Sequence, residues 1–189
     1  MNISIVDMVE SQTIASITGP DLIDDAIESN ANVAFLVTGT LLTVREYMEK
    51  LRKAGMYVFL HMDFIGGLSN TKDAVQFVAR EWKPDGIITT KNQLIKIAKD
   101  EGLVTIQRTF LIDHHAIQKS IKALHHNQPD AIEVLPGIMP KVINDMTSLT
   151  TLPIIAGGLI RDKQEVLDAL QAGALATSGG SSDIWNLDL

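Results

Sequence analysis

The chain is 189 residues long, 46% hydrophobic and 21% charged, with a net charge of −7 and no cysteine. That size buries a full core in one domain spanning residues 1–189. The lack of cysteine excludes a disulfide framework, a thiol nucleophile and the common zinc and iron–sulfur ligand sets, in keeping with a cytoplasmic protein.

An acidic chain is no general nucleic-acid coat. Residues 1–10 hold two acids and no Lys or Arg, unlike a secretory leader, and no apolar run nears the roughly 20 residues that cross a bilayer, so no membrane partner is expected. In chain order, apolar and β-branched runs suited to strands fall at residues 13–18, 33–39, 57–63, 86–90, 104–110, 131–136, 153–158 and 174–177. Helical spacing fills the gaps, as in Leu22, Ile23, Ala26 and Ile27, then Val75, Val78 and Trp82, and later Leu94, Ile95 and Ala98. It returns in Val142, Ile143, Met146 and Leu149, and in Val166, Leu167 and Leu170. Thr43 with Glu46 and Asp162 with Glu165 have capping-box spacing, and Pro20 suits a first helical turn. Gly55, Gly102 and Gly173 stand where helices should end. Strand and helix alternating eight times predict a parallel (β/α)8 TIM barrel with minimal loops; an open flavodoxin-like sheet is second, because it leaves strands over.

In such a barrel the functional groups gather where the strands end at their C-termini. In the third strand Val58, Leu60, Met62 and Phe64 form an apolar set suited to face the helices, which turns His61 and Asp63 into the mouth. In the sixth, Ile132 and Val134 face the helices and Glu133 points inward, where a carboxylate needs a partner. Lys91 precedes a helix, at an end where the helix dipole disfavours a cation, so holding an anion is its more natural duty. In the fifth strand parity puts Gln107 inward and leaves Arg108 at the edge unless the strand ends or bulges there; both are candidate ligand contacts, Arg108 as a second cation for the anion.

Glycines follow the last two strands, Gly157-Gly158 after the seventh and Ser178-Gly179-Gly180 after the eighth, with a short helix expected over residues 181–187. Backbone N–H groups approach an anion closely there, and loops after strands seven and eight plus a short helix are the recurring phosphate site of these barrels. The alternative is that Gly157 and Gly158 only relieve crowding. The adjacent pairs His114-His115 and His125-His126 do not share a helix face and make poor metal sites. No phosphate loop of the G-x-x-x-x-G-K-[ST] kind and no nucleophile elbow is present, so neither a metal nor a cofactor is expected. Gly66-Gly67 reads as a loop covering the mouth.

Five ordered segments, HMDFIGGL (61–68), PDGIITTK (84–91), QRTFLID (107–113), PDAIEVLPG (129–137) and PIIAGGLI (153–160), resemble the glycerol-3-phosphate-responsive antiterminator family over nearly the whole chain. The resemblance implies a non-enzymatic barrel that binds sn-glycerol 3-phosphate and acts on the leader mRNA of glycerol uptake operons. Two positions depart from it. Thr177-Ser178-Gly179 stands where the family usually has Ser-Thr-Ser, and His114 where it tends to have Ser; backbone N–H groups replace a lost hydroxyl at the first. With that ligand, Lys91 would add charge to the phosphate site, and Glu133 with His61 or Asp63 would accept hydrogen bonds from the glycerol hydroxyls.

An RNA partner needs a concentrated basic surface on an acidic protein. Residues 1–30 hold six acids and no Lys or Arg, whereas residues 91–122 hold six bases and three acids. The expected RNA-binding residues are therefore Lys96, Lys99, Lys119 and Lys122, on helices flanking the fifth strand. Two readings stay open: a ligand-gated RNA regulator, and a barrel enzyme on a small phosphate ester with His61 or Glu133 as acid/base. A homo-oligomer is compatible with either.

Overall fold

The computed structural model describes residues 4–189 and is a closed barrel in which every strand pairs in parallel with the strands before and after it in sequence. The chain enters through α1 (Ile5–Met8) and runs through β1 (Thr13–Ile17), α2 (Leu22–Glu28), β2 (Val33–Leu36), α3 (Val44–Lys53) and β3 (Tyr57–His61). It continues as α4 (Lys72–Phe77), which runs on into a π turn (Val78–Trp82), then β4 (Gly86–Thr89), α5 (Asn92–Asp100), β5 (Val104–Phe110) and α6 (His114–Asn127). The last elements are β6 (Ala131–Leu135), α7 (Pro140–Leu149), β7 (Ile154–Gly157), α8 (Lys163–Gln171), β8 (Ala176–Gly179) and α9 (Ser182–Trp185). The ladder between β1 and β8, with Thr13 opposite Thr177, closes the sheet and excludes the open flavodoxin-like alternative. Of the opening segment read for a secretory leader, residues 1–3 lie outside the described part. No helix among the described residues is long and apolar enough to cross a membrane.

Alternation along each strand sorts the side chains into two cores. Facing the helices lie Val58, Leu60 and Met62 of β3 and its following turn, and Ile132 and Val134 of β6, as parity predicts. Each fully buried side chain of this size contributes about 1.5–3 kcal/mol. Inside the barrel Ile14, Phe35, Phe59, Ile88, Ile106 and Ile155 fill the lower half, with Phe35 and Phe59 meeting edge to face at 5.8 Å. Ile5 and Met8 of α1 pack onto this cluster and close its lower end. Two strand-start aspartates staple the same end. Asp85 accepts from the Val58 N–H at 2.8 Å, and Asp130 accepts from the N–H and hydroxyl of Thr105 at 2.8 and 2.7 Å.

The punctuation is part right. Gly55, Gly102 and Gly173 follow α3, α5 and α8 with φ of +85°, +83° and +106°, the left-handed conformation that ends a helix. Asp162 caps α8 by accepting from Glu165 N–H, but the Glu165 carboxylate reaches Arg161 N–H instead of completing the box. Thr43 is no cap: its hydroxyl accepts from Thr40 N–H, folding the loop rather than the helix start. Pro20 lies in the turn before α2. The eighth strand spans 176–179 rather than 174–177, because closure pairs Ser178 with Gly157 and Gly179 with Ala15, and that ladder overrides the weak strand propensity of both residues. The third strand stops at His61, so Phe64 leaves the helix-facing set and is 54% exposed, its ring meeting the His61 ring edge to face with centroids 4.5 Å apart.

Candidate functional site

Two residues above the apolar layer, the same inward positions become polar. His61 on β3, Arg108 on β5, Glu133 on β6, Gly157 on β7 and Ser178 on β8 form a layer at the C-terminal end of the strands. Arg108 and Glu133 are opposite one another in the β5–β6 register. Arg108 Nε donates to Glu133 Oε2 at 2.5 Å, and Ser178 Oγ donates to Glu133 Oε1 at 2.6 Å. The pair is deep, with side chains 10% and 1% exposed, so its charges are compensated mainly by each other. Nε is the one guanidinium nitrogen with a partner among the described residues, which leaves two amino groups to meet an anion.

Parity in β5 is thus the reverse of the expectation. Ile106 lies in the inner core, so Arg108 points inward and Gln107 lies on the helix-facing side, opposite Ile132. Gln107 is buried there and donates to the carbonyl of Thr89 at 3.2 Å. Its polarity suggested the mouth; counting from Ile106 would have placed both residues correctly.

His61 is fully buried, and neither ring nitrogen has a hydrogen-bond partner among the described residues. Burial and the neighbouring Arg108 charge push its pKa down to about 3, against a partial pull upward from Asp63. The ring is therefore neutral near pH 7, with one donor and one acceptor unspent beside the Arg108–Glu133 pair. Asp63 does not join it. Burial alone would raise the Asp63 carboxyl, but hydrogen bonds from the hydroxyls of Thr89 and Thr90 and the Thr90 N–H, together with the field of His61, hold it below its ordinary value. Those bonds, 2.5 to 2.9 Å long, tie Asp63 to the loop after β4. His61, Asp63 and Glu133 consequently neither satisfy one another nor converge as a metal site.

Lys91 begins α5 from that loop and is exposed on the rim. The glycines divide. A Cβ on Gly157 would lie 2.6 Å from Glu133 Oε1 and 2.7 Å from Ser178 Oγ, so its bareness makes room for the buried carboxylate. Gly158 has φ of +76°. Gly179 lies in β8, where a side chain would run into Ile184 and where its carbonyl accepts from Trp185 Nε1 at 2.7 Å, a duty of seating α9. Gly180 is exposed at the mouth. Two inward hydroxyls escaped the sequence reading: Ser16 on β1, two residues after the inner-core Ile14, and Thr90 after β4. The same count along each strand would have found them.

Lys96, Lys119 and Lys122 are exposed on α5 and α6, whereas Lys99 is engaged, donating to the Gln128 carbonyl at 2.6 Å and pairing with Asp130 at 3.1 Å. A groove of about 550 Å³ lies at the far end of the barrel between the ends of α6 and α7. Volume alone would favour it, yet it contains none of the buried unpartnered polar atoms found among the described residues. Of those atoms the two His61 ring nitrogens lie at the mouth, whereas the polar atoms of Thr13, Gln107 and Thr177 lie outside the inward layer.

The family described as glycerol-3-phosphate responsive antiterminator matches residues 13–185. The chain is 34% identical over 178 residues to the Escherichia coli protein YgcP, covering 94% of this chain and 93% of that one. Its fold superposes on a glycerol uptake operon antiterminator regulatory protein from Listeria monocytogenes with a TM-score of 0.88 and 31% identity, over 92% of this chain and 94% of the other. A glycerol uptake operon antiterminator-related protein from Thermotoga maritima gives 0.84 and 30%, over 95% and 100%. Orotidine 5'-phosphate decarboxylase from Pyrococcus horikoshii, at 15% identity and a TM-score of 0.67, shares the barrel alone.

Proposed function

Because this chain belongs to the glycerol-3-phosphate-responsive antiterminator family, we propose that it is a cytoplasmic sensor of sn-glycerol 3-phosphate that binds leader mRNA of glycerol uptake operons and prevents premature termination. The observation that carries the ligand assignment is the polar layer at the mouth: a neutral His61 with both nitrogens unspent beside an Arg108 with two unspent amino groups. Such a layer suits a small molecule with one anionic end and one hydroxylated end. Arg108, Lys91 and the backbone around Gly158 and Gly180 would hold the phosphate, and His61, Glu133 and Ser178 would meet the hydroxyls. The exposed lysines of α5 and α6 would add phosphate contacts to RNA, with Lys99 the weakest of the four because Asp130 already engages it.

Glu133 accepts one hydrogen bond on each oxygen, from Arg108 and from Ser178, which leaves lone pairs for a ligand hydroxyl. Thermal unfolding with sn-glycerol 3-phosphate, glycerol or inorganic phosphate tests the ligand. At about 100 times Kd the phosphate ester should add roughly 2.7 kcal/mol, and glycerol nothing. Equal shifts with glycerol and its phosphate would reject the anion site. Leader-transcript affinity measured with and without the ester tests the rest, since coupling of roughly 1–3 kcal/mol must run both ways. Consumption of the ester followed by phosphorus NMR would reinstate an enzyme.

A further inference from the structure

The rim above the mouth is divided. Along the arc formed by the loops after β5, β6 and β7, large apolar side chains stand in solvent: Phe110 at 54% and Ile112 at 82% exposure, then Ile138, Met139 and Leu159. Phe110 belongs to the inward set of β5, two residues above Arg108, so its ring sits directly over the polar layer. Lys141 and Arg161 are exposed among these residues, and neither forms an ion pair among the described residues. The acids of the same arc are committed elsewhere: Asp113 caps α6 through Ala116 N–H, Asp162 caps α8, and Glu165 holds Arg161 N–H. On the opposite side of the mouth the start of α2 carries Asp21, Asp24 and Asp25. The loops after β2 and β3 also expose Leu41, Leu42 and Phe64, and Asp24 pairs with Lys50, so what sets the β5–β7 arc apart is apolar side chains standing beside unpaired cations.

We infer that the β5–β7 arc of the rim is where single-stranded RNA lies, its bases stacked on Phe110 and Ile112 and its phosphates met by Lys141 and Arg161. This inference rests on the antiterminator reading and names the surface that the reading requires. Apolar platforms interleaved with unpaired cations are the chemistry of a charged backbone bearing exposed bases. A second copy of the chain fits the arc less well. A two-fold interface sets a patch against itself, so Lys141 and Arg161 would face the cations of the other copy. Position also supplies the coupling. RNA on the arc covers the ligand from above, and ligand seated at Arg108 forms the floor on which Phe110 rests.

The test uses the full chain, a 4-thiouridine-labelled glycerol-uptake leader transcript, and three variants: Phe110→Ala/Ile112→Ser, Lys141→Glu, and Lys96→Glu/Lys119→Glu. With sn-glycerol 3-phosphate present, the two rim variants should each bind the transcript at least about tenfold more weakly. Lys141→Glu, which lies off the ligand layer, should keep the melting shift given by the ester, and wild-type crosslinks should map to the loops after β5–β7. Wild-type binding with unchanged affinity in both rim variants overturns the inference and spares the antiterminator reading. So does loss of binding in the α5–α6 variant alone. If wild type binds no transcript with or without the ester, the antiterminator reading itself fails and takes this surface with it. Should sedimentation reveal a dimer that Phe110→Ala/Ile112→Ser dissociates while RNA affinity stays constant, the arc is a contact between copies and the inference is wrong.

Discussion

The lower and upper halves of the barrel interior are made by the same strands, one alternation apart. Moving up two residues turns Phe59 into His61 on β3, Ile106 into Arg108 on β5 and Ala131 into Glu133 on β6. On β7 and β8 the same step turns Ile155 into Gly157 and Ala176 into Ser178. Below the step, apolar side chains pack without polar atoms, and they hold the barrel together. Above it stand a buried ion pair and a buried unpartnered imidazole, both of which cost stability that an apolar layer would not. That departure, at one level of the interior and at its C-terminal end, is what the proposed ligand site would account for.

The largest effect should come from breaking the lower half. Phe59→Ala removes a fully buried ring and is expected to cost about 4 kcal/mol in urea unfolding. Whatever fold remains should still gain stability from sn-glycerol 3-phosphate. Next comes the ion pair, where Glu133→Ala strands the Arg108 guanidinium and should cost about 3 kcal/mol. Arg108→Met with Glu133→Leu should restore most of that loss and abolish the ligand effect. A double variant that still responds to the ester would move the site out of the upper half.

A smaller and pH-dependent effect belongs to His61. Its ordinary value of 6.5 applies to the unfolded chain, while the fold holds it near 3. Above pH 6.5 both states are neutral there and nothing is gained or lost. Between those limits only the unfolded chain takes the proton, so stability falls as pH drops, by up to about 1.4 kcal/mol per pH unit. Asp63, held below its ordinary carboxylate value, loses its contribution only at lower pH, roughly below 4. Urea midpoints between pH 8 and 4.5 should therefore slope less in His61→Asn than in wild type. Parallel slopes would mean that the buried ring takes up its proton at the same pH in the fold as in the unfolded chain. The smallest effect compares two left-handed glycines. Gly55→Ala and Gly158→Ala should each cost roughly 1–2 kcal/mol, from φ of +85° and +76°, but only the second should weaken the ester.

These contrasts also explain what the sequence made legible. Runs such as residues 131–136 and 153–158 announced strands because their β-branched residues have no other plausible use in a chain this size. Glu133 was recognisable for the same reason, as one carboxylate between Ile132 and Val134. Its partners were not. The bonds from Arg108 and Ser178 depend on the stagger of β5 against β6 and on closure around the barrel, neither of which is written locally. Arg108 was misjudged because polarity was weighed before alternation, and α1 because four residues carry too little periodicity to be seen. Gly179 was read as a ligand loop since nothing in Thr177-Ser178-Gly179 says that Trp185 will fold back onto it.

Ile5 and Met8, packed with the lower apolar layer, close the lower end of the interior among the described residues, which leaves the mouth as the way in. Whatever enters past Phe110 must leave the same way. Any macromolecule seated on the rim then imposes an order on events: the small molecule arrives first and departs last. Its residence time is governed by the cover rather than by its own contacts. Chase kinetics would read this directly, as a release of sn-glycerol 3-phosphate that stalls when transcript is present and resumes when the transcript is digested.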